Sequence, residues 1–384
     1  METGIQLGGV AGQIGPFIHP TGRRLNLART MLAASIAPII AGIVLFGLGT
    51  LEVLLFAAAG AFVGDIVWAA LTKLRSGRRW ECSLSAGILM ALTLPAEATW
   101  SMAMLGGIMS SVVGYGLFGG YGHHLWHPAL VGRVAVQIFY GKQLAPDTYG
   151  LLGRGRLFWG NIADRVALPS LQDWWAARPP MGFDAWEVVS PLIHLRKLAM
   201  GDEALHAAGQ HPLMVLIRDY LPDWGGVLLG LTGGGIGETC IVASLGAGLW
   251  LIHRGVLRWE LPASMLVGAA LAACLLPVPR PGTDEMMLLP GLVVSEGAWV
   301  GGIYVSYHLI CGELMLCAML LAADTVTTPL TRRGQIVFGT ATGLLTIVLR
   351  LHGVGVGAGY WSLLLMNTLV PVIDRWTKRR VLGT

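Results

Sequence analysis

Apolar runs near twenty residues long recur along this 384-residue chain on both sides of one polar stretch, and no other feature limits its fold as much. A run of that length crosses about 30 Å of hydrocarbon as a single helix. In the first half such runs fall at 28–48, 51–73, 82–96, 101–120 and 127–141, and in the second at 236–253, 260–277, 298–323, 334–350 and 359–376. Within lipid each segment has to satisfy its own backbone hydrogen bonds, so the runs predict helices. The expected fold is an all-α polytopic membrane protein of about ten transmembrane helices in two five-helix halves. Because five is odd, the halves are expected to be inverted relative to each other, an arrangement that many transport proteins build around a midplane site. Composition supports this, with 54% hydrophobic and 12% charged residues against about 25% charged in soluble domains.

The polar stretch from Gly141 to Trp224 carries 17 of the 48 charged residues, so it is the one large region expected outside the lipid. The chain divides into a cytoplasmic lead at 1–27, a first half at 28–141, an extracytoplasmic region at 142–235, a second half at 236–376 and a cytoplasmic tail at 377–384. Arg218, Asp219, Pro222 and Asp223 interrupt the apolar run from His211 to Leu231, which reads as interfacial or re-entrant. Short cytoplasmic loops are rich in Lys and Arg. Arg23 and Arg24, Lys73 to Arg79, Arg254 and Arg258, Arg332 and Arg333, and Arg375 to Arg380 fall on one side of a ten-span chain. Both termini are therefore expected in the cytoplasm, with the bilayer as the chain's first partner. The net charge of +4 is scattered among short loops, which argues against a nucleic-acid partner. None of the five cysteines forms a C-x-x-C pair, so they read as buried thiols with no metal or iron–sulfur set.

Three places carry candidate chemistry. Leu92-Thr93-Leu94-Pro95 ends one run and His127-Pro128-Ala129 begins another, and backbone groups freed at such prolines are satisfied inside protein or at a polar cavity. Arg133, beyond His127, suits a phosphate or a structural ion pair with a carboxylate such as Asp65. Gly233 to Thr239 opens the sixth span. Glycine-rich backbone entering a helix favours anions, although Glu238 there also suits a plain role against the helix dipole. Ala323-Asp324-Thr325-Val326-Thr327-Thr328-Pro329 sets a carboxylate among hydroxyls at the bilayer edge. It is suited to an ion, a proton or the edge of a ring, or to capping a helix and starting a turn. Glu296 and Glu313 add to a possible ion path.

Taken in order, L-T-L-P, H-P-A-L-V-G-R, G-x-G-E-T, the segment from His308 to Pro329 and L-L-M-N-T-L-V-P-V-I-D resemble the RnfD/NqrB family. These are flavin-carrying membrane subunits of the Rnf complex and of the sodium-pumping NADH:quinone reductase. The short N-terminal lead looks like the Rnf subunit. The resemblance implies a subunit of a translocase that couples electron transfer between ferredoxin and NAD(H) to movement of Na+ or H+, and that is not catalytic alone. It also implies an FMN on the outer side, a second flavin, riboflavin, nearer the cytoplasm, and partner subunits bearing FMN and iron–sulfur centres. The family's phosphoester tether is a threonine in D-x-x-S-G-A-T-P-L. Here the stretch reads Asp184 to Leu192 with Glu187-Val188-Val189-Ser190 in place of Ser-Gly-Ala-Thr, so attachment would fall on Ser190. Two further departures are His127, where the family usually has Asn, and Thr325, where it usually has Pro. The flavin-binding residues implied are Asp184, Ser190, Gly237, Glu238 and Thr239 on the outer side, and Thr93, Pro95, His127, Pro128, Arg133, Asp324, Thr325 and Thr327 elsewhere. The competing readings are an NqrB-type subunit of a quinone reductase and a flavin-free channel or secondary transporter.

Overall fold

The computed structural model describes residues 21–72, 80–120, 122–141, 143–144, 191–199, 221, 224–230, 232–279, 286–288, 298–353 and 357–377. In the first half, α1 (Thr21–Phe46), α2 (Gly49–Thr72), α3 (Trp80–Ala91), α4 (Trp100–Met109) and α5 (Pro128–Tyr140) follow one another. A π-helical turn, Ser110–Gly116, prolongs α4. Two short helices follow, α6 (Pro191–Ala199) and α7 (Trp224–Leu229). The second half holds α8 (Ile241–His253), α9 (Glu260–Leu275), α10 (Ala298–Ile310), α11 (Glu313–Met319), α12 (Arg332–His352) and α13 (Ala358–Trp376). A small antiparallel pair after α9, β1 (Pro277–Pro279) with β2 (Met286–Leu288), departs from the all-helical expectation.

A helix occupies each of the ten apolar runs, but their lengths differ from the uniform spans expected. Leu27–Phe46, Gly49–Thr72 and Arg332–His352 are long and apolar enough to cross a membrane. Trp299–Ile310 with Glu313–Ala323 makes a fourth if the two are read as one span bent by 59°. By contrast, α3 has 12 residues and α5 and α8 have 13 each. At 1.5 Å per residue that is about 18–20 Å, short of the hydrocarbon core. Local chemistry accounts for the shortening. Pro95 disfavours helical backbone at Leu94 and stops α3 early, and Pro128 can only open α5, where its missing N–H is harmless. At α3 and α8 the rest of the apolar run is non-helical backbone packed inside the protein.

Glycine lets two helix pairs approach until their backbones touch. A Cβ built at Gly107 on α4 would overlap the Ala57 carbonyl of α2, and one at Gly343 on α12 would overlap the Met265 carbonyl of α9. In each half, then, the second helix lies against the fourth through small residues, the close packing that membrane helices use. Between halves, α1 packs on α8 and α5 on α13. Large apolar side chains such as Leu55, Ile66, Leu71, Ile138, Leu249 and Leu275 face outward.

Polar contacts define the two ends of the bundle. At one end Arg29 pairs with Glu81 (3.0 Å) and Arg332 with Glu260 (3.3 Å), while Thr331 donates to Thr377 (2.7 Å) and the Leu330 amide donates to Asp374 (3.1 Å). These join the starts of α3, α9 and α12 and the end of α13. At the other end α6 docks on the C-terminus of α12, where Arg196 donates to the Gly353 carbonyl (3.0 Å). Leu192 of α6 is buried against Gly312, whose φ of +72° forms the break between α10 and α11.

Candidate functional site

Two non-helical segments cross in the middle of the protein. Leu92 to Pro95 leaves α3 and Gly233 to Thr239 leads into α8; the Ile236 amide donates to the Leu94 carbonyl (2.9 Å) and the Gly237 amide to the Leu92 carbonyl (2.8 Å). Backbone groups that the two helices cannot satisfy are thus matched against each other, as lipid requires. Gly237 eases the approach, since a Cβ there would stand 3.0 Å from that of Leu92 and 3.1 Å from Leu316 Cδ1, closer than side chains ordinarily pack. Three amides of the glycine run are engaged by protein, because the Gly235 amide donates to Glu238 Oε2 (3.1 Å). The Thr93 hydroxyl donates to the Met90 carbonyl (2.6 Å), and the Pro95 carbonyl accepts from the Ala98 amide (3.0 Å).

Charged groups gather beside this crossing. Glu238 lies ahead of α8 rather than in its first turn and accepts a hydrogen bond from the Tyr360 hydroxyl. The Arg133 guanidinium lies 5.4 Å from the Tyr360 ring centre and donates through Nε to the Thr93 carbonyl (3.1 Å). Asp65, the partner considered for Arg133, instead accepts from the Ser83 hydroxyl. Next to Tyr360, the Gly359 amide donates to Glu313 Oε1 (2.9 Å), which also pairs with Arg350 Nη2 at 3.2 Å. Arg350 Nη1 donates to the His308 carbonyl (2.7 Å). Two carboxylates and two guanidiniums are thereby buried together. Thr239 Oγ1, Arg133 Nη1, Glu313 Oε2 and both ring nitrogens of His308 are buried without a hydrogen-bond partner among the described residues.

A second cluster lies at the end marked by the starts of α3 and α12. Asp324 Oδ2 meets His124 Nε2 at 2.8 Å, and Asp324 Oδ1 accepts from the Val326 amide (3.0 Å). The Thr328 hydroxyl donates to the Asp324 carbonyl (3.0 Å), with Thr327 at 3.5 Å. Asp324 therefore both starts a turn and holds a histidine, whereas Thr331 is the residue that caps α12, accepting from the Gly334 amide (3.0 Å). Thr325 is exposed. His127 and Pro128 stand at the start of α5. With its amide oriented to satisfy its neighbours, Asn367 of α13 accepts from the His127 amide (3.1 Å) and donates to the Thr327 carbonyl (3.1 Å). A cleft beside Asp324 is lined by Leu27, Leu89, Tyr115, His127 and Pro128.

The structure thus brings Thr93, Arg133, Gly237 and Glu238 together at the central crossing, with Pro95 and Thr239 at its margins. It brings His127, Pro128, Asp324 and Thr327 together at the end. Asp184, Ser190 and Glu296 lie outside the described residues; Pro191, which follows Ser190, opens α6. Sequence reasoning passed over Tyr360, Arg350, Asn367 and His124. Arg350 was visible as a guanidinium inside an apolar run, and His124 as the first member of His-x-x-His-Pro.

The sequence pattern of the NQR2, RnfD, RnfE family matches residues 12–383. The chain is similar to the D-type subunit of the ion-translocating oxidoreductase complex of Halorhodospira halophila (strain DSM 244 / SL1), 29% identical over 374 residues, covering 93% of this chain and 91% of that protein. It is also similar to the protein of the same name from Klebsiella pneumoniae (strain 342), 28% identical over 383 residues and covering 96% and 97%. The one from Escherichia coli (strain SE11) is 26% identical over 380 residues with the same coverage. With the match running almost from end to end, the chain belongs to the NQR2, RnfD, RnfE family.

Proposed function

We propose that this chain is an RnfD-type membrane subunit of an ion-translocating oxidoreductase complex. In this reading it crosses the bilayer ten times as two inverted halves and holds one flavin toward each face. The observation that carries the reading is the separation of its two polar ends along α12. Asp324 precedes the start of that helix, and α6, directly after Ser190, is tied to its last turn through Arg196 and Gly353. The 21 residues between measure about 31 Å, close to the thickness of the hydrocarbon core.

Several features support the membrane placement. Exposed Trp80, Trp259 and Trp376 stand at the end marked by Glu81, Glu260 and Asp374, whereas exposed Trp100, Trp224 and Trp299 begin α4, α7 and α10. Indoles at both boundaries are the usual aromatic belts of a membrane protein. Inversion is supported by matched devices in the halves. In each, the second helix packs on the fourth through glycine, and a residue of the last helix holds the carbonyl of a Thr-x-Pro threonine, Arg133 for Thr93 and Asn367 for Thr327.

In this reading the second flavin, riboflavin, is held beside Asp324. Apolar walls from Leu27 and Leu89 meet a polar rim from His127 and Asp324, and His127 Nδ1 is buried without a partner among the described residues. The outer FMN would attach at Ser190 near Asp184; Gly237 to Thr239, expected to share that face, instead lie at the central crossing with the amides of residues 235–237 engaged by protein. Bound flavins would supply the electron-accepting chemistry. The chain's residues orient them, exclude water and pass charge between faces, and electrons reach ferredoxin and NAD(H) through partner subunits carrying iron–sulfur centres and a further FMN.

The test is an absorbance spectrum of the chain purified under mild extraction, with in-gel fluorescence after denaturation. Flavin bands, and a fluorescent protein band lost in Ser190→Ala, are expected. A native preparation with no flavin absorbance would sink the reading and favour a flavin-free transporter. A flavin spectrum with no fluorescent band would remove only the covalent bond.

A further inference from the structure

The end of the bundle where α12 starts presents arginines and exposed apolar side chains side by side. Three segments meet there: the turn from α8 to α9, the link into α12 and the last turn of α13. Arg258 Nη1 donates to the Leu330 carbonyl (3.3 Å), the Leu330 amide donates to Asp374 Oδ1 (3.1 Å), and Arg332 Nε pairs with Glu260 Oε1 (3.3 Å). Glu260 and Asp374 are thereby engaged by the protein. Arg258, Arg332, Arg333 and Arg375 nonetheless all remain exposed, four cations against those two anions. Among the described residues Arg258 and Arg332 each spend one nitrogen on protein, which leaves the rest of the guanidinium fork for a second acceptor. Beside these arginines stand Trp259, Leu330 and Trp376, which are 64%, 75% and 81% exposed. Such apolar side chains are costly to hold in water but suit the level where headgroups meet acyl chains. Indoles collect at that level, and arginine reaches a phosphate there on its apolar stem.

We propose that this seam binds the headgroup phosphate of an anionic phospholipid from the leaflet at this end. The arginines take the phosphate, Trp259 and Trp376 flank the glycerol level, and the acyl chains run past Leu330. Exposed Ile336 and Val337 of α12 and Val372 of α13 continue that apolar surface away from the seam. Charge selects the occupant. A zwitterionic headgroup brings a cation that the arginines repel, whereas an anionic one brings none, and each arginine near an anionic surface contributes about fivefold in binding. The apolar groups decide between a lipid and an acidic protein face. A protein face would match the arginines but would set Trp259, Leu330 and Trp376 against polar surface. The site rests on the membrane placement proposed above and on neither flavin.

The test places a bimane dye at Leu330→Cys, in the full chain with its five native cysteines replaced, and reconstitutes it in phosphatidylcholine nanodiscs. A minority of the lipid carries brominated acyl chains that quench the dye on contact, either as phosphatidylglycerol or as phosphatidylcholine. Brominated phosphatidylglycerol is expected to quench severalfold more strongly. Arg258→Gln, Arg333→Gln and Arg375→Gln together leave the Arg332–Glu260 pair in place and are expected to remove that preference. Quenching of this variant by brominated phosphatidylcholine is expected to match that of the unsubstituted chain, which shows that it is still inserted. Equal quenching by the two lipids overturns the site and leaves the arginines to an acidic partner subunit. A preference that survives in the triple variant overturns the role of the arginines. No quenching by either lipid means that this end does not lie at the bilayer boundary, and the membrane placement fails with it.

Discussion

Glu313 and Arg350 form an ion pair of 3.2 Å with both side chains wholly removed from solvent. The carboxylate stands at the start of α11, beside the Gly312 break, and the guanidinium lies near the end of α12. Burying two charges is costly unless each is well matched, and removing one partner leaves the other without compensation. Glu313→Gln and Arg350→Met are each expected to destabilise the protein by about 3–5 kcal/mol, seen as early thermal unfolding in detergent. The double substitution is expected to lose much less than the sum of the two. Additive losses would show that the pair is not energetically coupled.

The close approach of α9 and α12 at Gly343 makes a second prediction. Gly343→Ala forces a methyl into the Met265 carbonyl and is expected to cost about 1–3 kcal/mol. Gly302 and Gly246, with open space where a Cβ would go, provide the control. Alanine there is expected to be neutral or stabilising, since it is the better helix former. Equal effects at all three would mean that packing is not what sets the glycine content of α12.

Tyr360 is the donor that Glu238 faces across the central crossing. Tyr360→Phe removes it and leaves a buried carboxylate oxygen short of a partner, an expected loss of about 1–3 kcal/mol. Trp361→Phe, at a half-buried position where the indole donates to Gln137 (3.1 Å), is expected to lose less. Thermal unfolding of the two variants side by side decides the order.

Sidedness has a direct assay. His123 and Thr99 are exposed in loops assigned to opposite faces in the ten-span reading. In a background with the five native cysteines replaced, His123→Cys is expected to react with an impermeant maleimide in inverted vesicles and Thr99→Cys in right-side-out ones. Labelling of both in the same preparation would rule out the proposed topology.

A helix stands at each of the ten apolar runs read from the sequence, whereas the short α6 was marked by no such run. The sequence overstated helix length at α3 and α8, although Pro95 and the glycine run were in plain view. What run length cannot report is how deep a helix stops once another segment stands ready to satisfy its free backbone groups. The Arg133 environment was misjudged for a related reason. Its acceptor is the Thr93 carbonyl, and main-chain acceptors leave no mark in a sequence, so Asp65 was the partner that side chains alone suggested. Asp324 was legible as a site, but its pairing with His124 spans 200 positions and follows only from the packing of the two halves.

The crossing of Leu92 and Leu94 with Ile236 and Gly237 also constrains how the protein is made. The carbonyls at 92 and 94 enter the membrane some 145 positions before the amides that match them are synthesised. At 5–20 residues per second that is a wait of roughly seven to thirty seconds. During that interval the nascent first half has to be shielded by water at the translocon or by an insertase. Biogenesis, rather than the finished fold, is therefore where an amino-acid change in residues 233–237 would first be felt, as degradation of a half-inserted chain.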